Sequence, residues 1–163
     1  LETLMCAMKT EKQEMLMRLA MQEAALAVEE GNYPFGAVTV DADGTVIASA
    51  HNTQDTDHDP TAHAEINLIR CLAEEFEESD FNRIILICNA QSCSMCFSAA
   101  IKAGICNYIF GAPNEPHMNP YLPVAEIAKH SRSALQITYG VLEEECAQQI
   151  AAMRKKQGGR LAQ

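Results

Sequence analysis

His63, Glu65, Cys93 and Cys96 are the residues of this chain whose types and spacing could do chemistry: one imidazole, two thiols and a spare carboxylate. They stand in two short motifs, His63-Ala64-Glu65 and Cys93-Ser94-Met95-Cys96. Three soft or borderline ligands with a carboxylate left over suit a catalytic zinc that keeps an open fourth position. A structural zinc wants four protein ligands, for which His58, Cys71 and Cys88 are available in principle. A Cys-x-x-Cys beside a β-α pattern is also the mark of a thioredoxin-like redox pair, although such a pair has no need of His63 and Glu65.

The elements that must position these residues alternate along the chain. Thr10 and Gln13 suggest a capping box that opens a helix with an apolar face of Leu16, Leu19, Ala20, Ala24, Ala27 and Val28, ended at Gly31-Asn32. Residues 35–40 and 45–50 read as strands joined at Asp43-Gly44, a pair that tolerates positive φ in a hairpin turn. After a polar loop, a helix is expected over 62–75, with Asp59 as its cap and Pro60 in its first turn. The run Ile84-Ile85-Leu86-Ile87 is apolar without alternation, so the strand over 83–88 should be covered on both faces. A helix over 93–103 closed by Gly104, a strand over 106–110, a Pro-rich loop over 112–120, a helix over 124–129, a strand over 135–139 and a helix over 143–156 follow. The order predicts an α/β fold, a five-stranded mixed sheet with its first pair antiparallel and helices on both faces, in a three-layer α-β-α sandwich.

That arrangement sets the two motifs at two helix starts. Unpaired N–H groups and the positive dipole end there stabilise thiolates, and cysteines three apart share a helix face. Glu65, two residues past His63, falls about 200° round a regular helix from it. It is therefore better placed as a base beside the metal than as a fourth ligand.

Composition bounds what the rest can be. At 163 residues and 48% hydrophobic, the chain is expected to form a single domain over 1–163, with flexible ends at about 1–10 and 157–163. A net charge of -10 repels phosphate backbones, and the twelve Lys and Arg are scattered except for Arg154-Lys155-Lys156. That trio reads first as a cationic last turn complementing the helix dipole. Seven cysteines, an odd number in a domain of ordinary size, argue for a reducing compartment. No apolar run is long enough to span a membrane and the order of a signal peptide is missing, so a soluble, cytoplasmic protein is expected.

Taken together, the motifs resemble the signature of zinc-dependent nucleobase deaminases, a His-x-Glu followed by a Cys-x-x-Cys. Pro34-Phe35-Gly36-Ala37-Val38, His51-Asn52, Asp59-Pro60-Thr61-Ala62-His63-Ala64-Glu65-Ile66 and Gly111-Ala112 are similar to the branch of the cytidine deaminase-like superfamily holding bacterial tRNA adenosine deaminases and small guanine deaminases. The likeness runs from about residue 12 to residue 156. It implies a cytidine deaminase-like fold and one zinc per chain held by His63, Cys93 and Cys96, which supplies an activated water. Glu65 would be the acid-base residue that moves the proton from that water to the ring and then to the departing amine. By the same resemblance Asn52 would hydrogen-bond the base, the Ala64 N–H would contact the attacked side, and the protein would be a homodimer, while Phe35 would either wall the pocket or belong to the strand core. Met95 to Ala100 could supply the contact or be core.

One departure stands out: Gln91-Ser92 replaces the Glu-Pro usual before the first cysteine. Ser92 can cap the helix with its hydroxyl, and it enters the set of expected substrate-contacting residues with Asn52, Ala64 and Phe35. A changed wall beside the leaving amine implies a changed substrate. Because the loop 54–59 and the stretch 74–80 are acidic, the expected partner is a small aminated base, nucleoside or related heterocycle, with nucleic acid disfavoured. The loop 112–120, with Glu115 and His117, would help choose it. Two alternatives stand beside this reading: a tRNA adenosine deaminase, and a zinc-stabilised scaffold or regulator without turnover.

Overall fold

The computed structural model describes residues 8–161. Within them the chain runs α1 (Thr10–Glu29), β1 (Gly36–Val40), β2 (Val46–His51), α2 (Ala64–Glu75), a 3-10 helix (Glu78–Arg83), β3 (Ile85–Ala90), α3 (Ser94–Ala103), β4 (Asn107–Ala112), α4 (Val124–Lys129), β5 (Gln136–Thr138) and α5 (Glu143–Lys156). The five strands form one sheet in the order β2-β1-β3-β4-β5. β1 is antiparallel to both β2 and β3, whereas β4 lies parallel to β3 and β5 parallel to β4. The mixed sheet and its antiparallel first pair are as the sequence predicts.

β3 explains the three layers. Leu86 and Cys88 face one buried cluster with Leu68 of α2, Phe97 of α3 and Val124 of α4. Ile85 and Ile87 face another with Leu16, Met17 and Ala20 of α1 and Cys146 and Ile150 of α5. Side chains alternate across a strand, so an unbroken apolar run is what two covered faces require. Phe97 packs edge-on against Tyr108 and Phe110 of β4, with ring centres 5.0 and 6.2 Å apart, which seats α3 on the sheet. Of Met95 to Ala100, Cys96, Phe97 and Ala100 are buried and Met95 is exposed.

Several details differ from the sequence reading. Thr10 is not the cap of α1: Lys9 holds that position without a side-chain bond, and the Gln13 side chain donates to the Met8 carbonyl at 3.2 Å. The second helix starts at Ala64, two residues late, because the Asp59 carboxylate takes the Thr61 N–H and hydroxyl instead of capping it. Of the segment expected as a flexible tail, Gln157 donates to the Asn32 carbonyl at 2.7 Å and Arg160 pairs with Asp55 at 2.5 Å. Residues 1–7 and 162–163 of the two expected flexible ends lie outside the described residues. Among the described residues no helix is long and apolar enough to cross a membrane, and Cys71, Cys88, Cys93, Cys96, Cys106 and Cys146 are free.

Close approach of α1 to the sheet depends on Gly36. A Cβ there would stand 2.2 Å from the Ala20 carbonyl oxygen and 2.5 Å from the Ala24 nitrogen, both backbone atoms. Gly36→Ala is therefore expected to cost about 2–3 kcal/mol through overpacking, or roughly 5–10 °C in Tm. Calorimetry checks this; an unchanged Tm would mean that α1 can retreat at little cost.

Candidate active site

Sheet polarity gathers the site at one edge. The register pairs Gly36 with His51, Ala37 with Cys88, and Ala90 with Ala112. The start of β1 and the ends of β2, β3 and β4 therefore share one edge, and the loops into α2 and α3 leave from it. This is the switch-point geometry at which open α/β sheets bind ligands. The Asn89 side chain clamps that edge by accepting from the Gly36 N–H and donating to the Pro34 carbonyl, each at 3.0 Å. The sequence offered no signal for this, because an Asn ending an apolar strand is unremarkable until its partners are known.

His63 and Cys93 are the N-caps of α2 and α3, both with extended backbone. His63 is thus not part of the helix, and the 200° separation from Glu65 expected of a regular turn does not apply. Glu65 is the second residue of α2, is 8% exposed, and stands with His63 and Cys93 in the wall of one cavity. His63 Nδ1 lies 3.5 Å from Cys93 Sγ and 3.3 Å from Cys96 Sγ. Ligands at ordinary Zn–N and Zn–S lengths in a tetrahedron stand about 3.5 Å apart, so the donor set fits zinc without rearrangement. His58, Cys71 and Cys88 do not join this cluster, which leaves three protein ligands among the described residues.

Electrostatics favour the same use. A hydrogen bond from Cys96, with a further one from His63, brings the Cys93 pKa down to about 4 against the opposing effect of burial. Burial pushes the Cys96 thiol up. For His63 burial acts downward, but the bond to Cys93 and the charges of Glu65 and Cys93 outweigh it and the pKa rises. Burial, then the charge on Cys93, raises the pKa of Glu65.

The cavity is small, with about 40 Å³ open to the centres of water-sized spheres. Phe35, Asn52 and Ala64 line it. Asn52 is buried and held by Gln54, accepting from its backbone N–H at 3.1 Å and donating to its side-chain oxygen at 2.7 Å. Ser92 differs from expectation twice. Cys93, not Ser92, caps α3, and Ser92 is 2% exposed, near enough to Glu65 to act on its pKa and with its hydroxyl 3.9 Å from Cys88 Sγ. The cavity wall is formed instead by Gln91 and by Cys88.

The loop after β4 completes the wall with Glu115, His117 and Met118. It is anchored by Asn114, whose side-chain amide donates to the Ser92 carbonyl at 2.9 Å and whose oxygen accepts from the Val124 N–H at 3.0 Å. Arg154 of α5 also reaches the wall. It pairs with Glu115, so it is more than the dipole-complementing cation that its position in a last helical turn suggested.

Residues 10–112 match the cytidine and deoxycytidylate deaminase zinc-binding region. The tRNA-specific adenosine deaminase of Haemophilus influenzae is 31% identical over 150 residues, which cover 91% of this chain and 86% of that one. A solved structure from a study of A-to-I editing by tRNA:A34 deaminases at the wobble position of transfer RNA matches with a TM-score of 0.72 and 32% identity, over 83% of this chain and 98% of the other. The guanine deaminase of Bacillus subtilis matches with a TM-score of 0.56 and 30% identity, over 71% of this chain and 74% of its own.

Proposed function

The chain belongs to the zinc-binding cytidine and deoxycytidylate deaminase family, and from that premise we propose that it is a hydrolytic deaminase of a small aminated heterocycle, a free base, a nucleoside or a related ring. The observation that carries the chemistry is the three-ligand cluster of His63, Cys93 and Cys96 with buried Glu65 on the same cavity. Zinc held by those three residues would supply Lewis acidity and an activated water. Glu65 would accept one proton from the water and pass it to the ring nitrogen next to the attacked carbon, then take the remaining hydroxyl proton of the adduct and pass that one to the amine. A C–O bond forms, the C–N bond breaks, and the products are the oxo ring and ammonia. Asn52, held by Gln54, orients the base, and Phe35 bounds its face. Ser92, buried beside Glu65, positions the carboxylate.

Charge supports a small substrate. Arg154 is paired with Glu115 and Arg160 with Asp55, and the chain as a whole carries -10. A surface that binds an RNA backbone needs cations available to phosphates. The tRNA deaminase relatives favour a second reading, deamination of an adenosine in tRNA. Ammonia release from a panel of aminated purines, pyrimidines and triazines separates the two. One or more is expected to be turned over with kcat/KM at or above about 10⁴ M⁻¹s⁻¹. Turnover confined to an anticodon stem-loop, with salt-sensitive binding, would replace the first reading by the second. Ammonia from neither would make the protein a zinc-stabilised scaffold.

A further inference from the structure

Arg154 is a buried polar group that the fold leaves unfinished. Its neighbours Lys155 and Lys156 are exposed, yet Arg154 itself is 8% exposed. Nη1 donates to Glu115 Oε1, and the guanidinium carbon lies 5.5 Å from the centre of the Phe35 ring. Nε and Nη2 are shielded from solvent and have no partner. Buried donors without partners are costly, and one that persists calls for something that satisfies it when the protein works. Arg154 stands in the wall of the cavity that holds His63, Glu65 and Cys93, and also in that of an adjoining one along Asn114 and Ile150. A group bound in either cavity lies against the Arg154 side chain, and a turn of that side chain brings the two donors to it.

Two open N–H groups on one planar guanidinium form a fork for two acceptors in one plane. Charge decides which acceptors. A phosphate subsite works by uncompensated positive charge, whereas the Glu115 carboxylate neutralises Arg154 here and the net charge of the chain is -10. What remains is discrimination by hydrogen-bond geometry, the pairing by which arginine reads the O6/N7 edge of a purine.

On the strength of the deaminase reading above, we propose that Arg154 determines specificity. Its Nε–H and Nη2–H bind an uncharged, in-plane pair of acceptors on the substrate ring, a ring oxo oxygen with a nearby ring nitrogen. Glu115 holds the fork and withholds it from phosphate.

Calorimetric titration of the zinc-loaded protein with hypoxanthine and with purine tests this apart from turnover, since neither has an amine to lose and purine lacks the oxygen. Hypoxanthine is expected to bind at least ~10-fold more tightly than purine, because a site built to hydrogen-bond a group rejects the analogue without it. Inosine 5′-monophosphate is expected to bind no tighter than hypoxanthine. Arg154→Lys keeps the charge without the fork, and Arg154→Met removes both; each should shrink the preference to within about 3-fold with zinc still at one per chain. No preference in the wild-type protein overturns the proposal, whether or not the variants fold. So does a preference that survives in the folded variants, or a nucleotide that binds ~10-fold tighter than the base through Arg154. Should the aminated panel release no ammonia while the preference persists, the deaminase reading falls and the fork stands. Ammonia release without the preference is the converse result.

Discussion

Glu65→Gln is expected to slow ammonia release by about 10³-fold or more while the protein retains one zinc per chain. The substitution preserves size and removes the ability to carry a proton, so it separates acid-base work from packing. Glu65 stands apart from the cluster of His63, Cys93 and Cys96, which is why the metal should stay. Burial raises the Glu65 pKa above its ordinary value, and the charge of Cys93 raises it further. A base whose pKa moves toward neutrality can both take a proton and return it, the property that this reaction needs. The measurement pairs steady-state ammonia release with metal analysis of the same sample. Turnover within about 3-fold of wild type at full zinc would remove Glu65 from the chemistry.

Replacing a ligand should have the other large effect. Cys96→Ala is expected to drop zinc well below one per chain, to abolish turnover, and to lower Tm, because metal affinity contributes to folding stability. Cys96 of α3 is buried with its sulfur 3.3 Å from the imidazole of His63, so little can substitute for that sulfur. A pH series on the wild-type protein carries the same information. With no metal bound, the His63 pKa is raised and the Cys93 pKa lowered to about 4, so the pair favours imidazolium with thiolate, and zinc must displace the His63 proton. Zinc occupancy should therefore fall as pH falls, and exchange should speed up in the same direction. Atomic absorption after dialysis at stepped pH reads this directly. Full zinc and full turnover in Cys96→Ala would show that the ligand set is wrong.

The elements were legible where a local rule acts without competition. Unbroken apolar residues at 84–87 predict a strand covered on both faces, and β3 has a cluster on each. Asp43-Gly44 predicts a turn, and Gly44 has φ of +78° with the Asp41 carboxylate accepting from Asp43 and Thr45. Helix starts were less legible, because several polar side chains compete for the same backbone groups. Asp59 spends its oxygens on Thr61, so α2 begins at Ala64 and His63 is left in the extended conformation that turns its ring toward the sulfurs.

Ligand identity was open to sequence reasoning because the necessary information is chemical and short in range. Two cysteines three residues apart, and a histidine two residues before a carboxylate, carry their donors and spacing with them. The surroundings of the substrate were not open in the same way. Arg154 meets Glu115 across 39 residues and Phe35 across more, and no period within α5 announces that its last-turn arginine turns inward while Lys155 and Lys156 turn out. Ser92 looked like a cap, yet Cys93 holds that position and Ser92 lies buried beside Glu65 instead. The sequence by itself determined which atoms can hold the metal and move the proton, since those properties belong to the side chains. Only the tertiary structure decided which further groups face the substrate cavity, since that depends on how distant elements exclude water and divide hydrogen-bond partners among themselves.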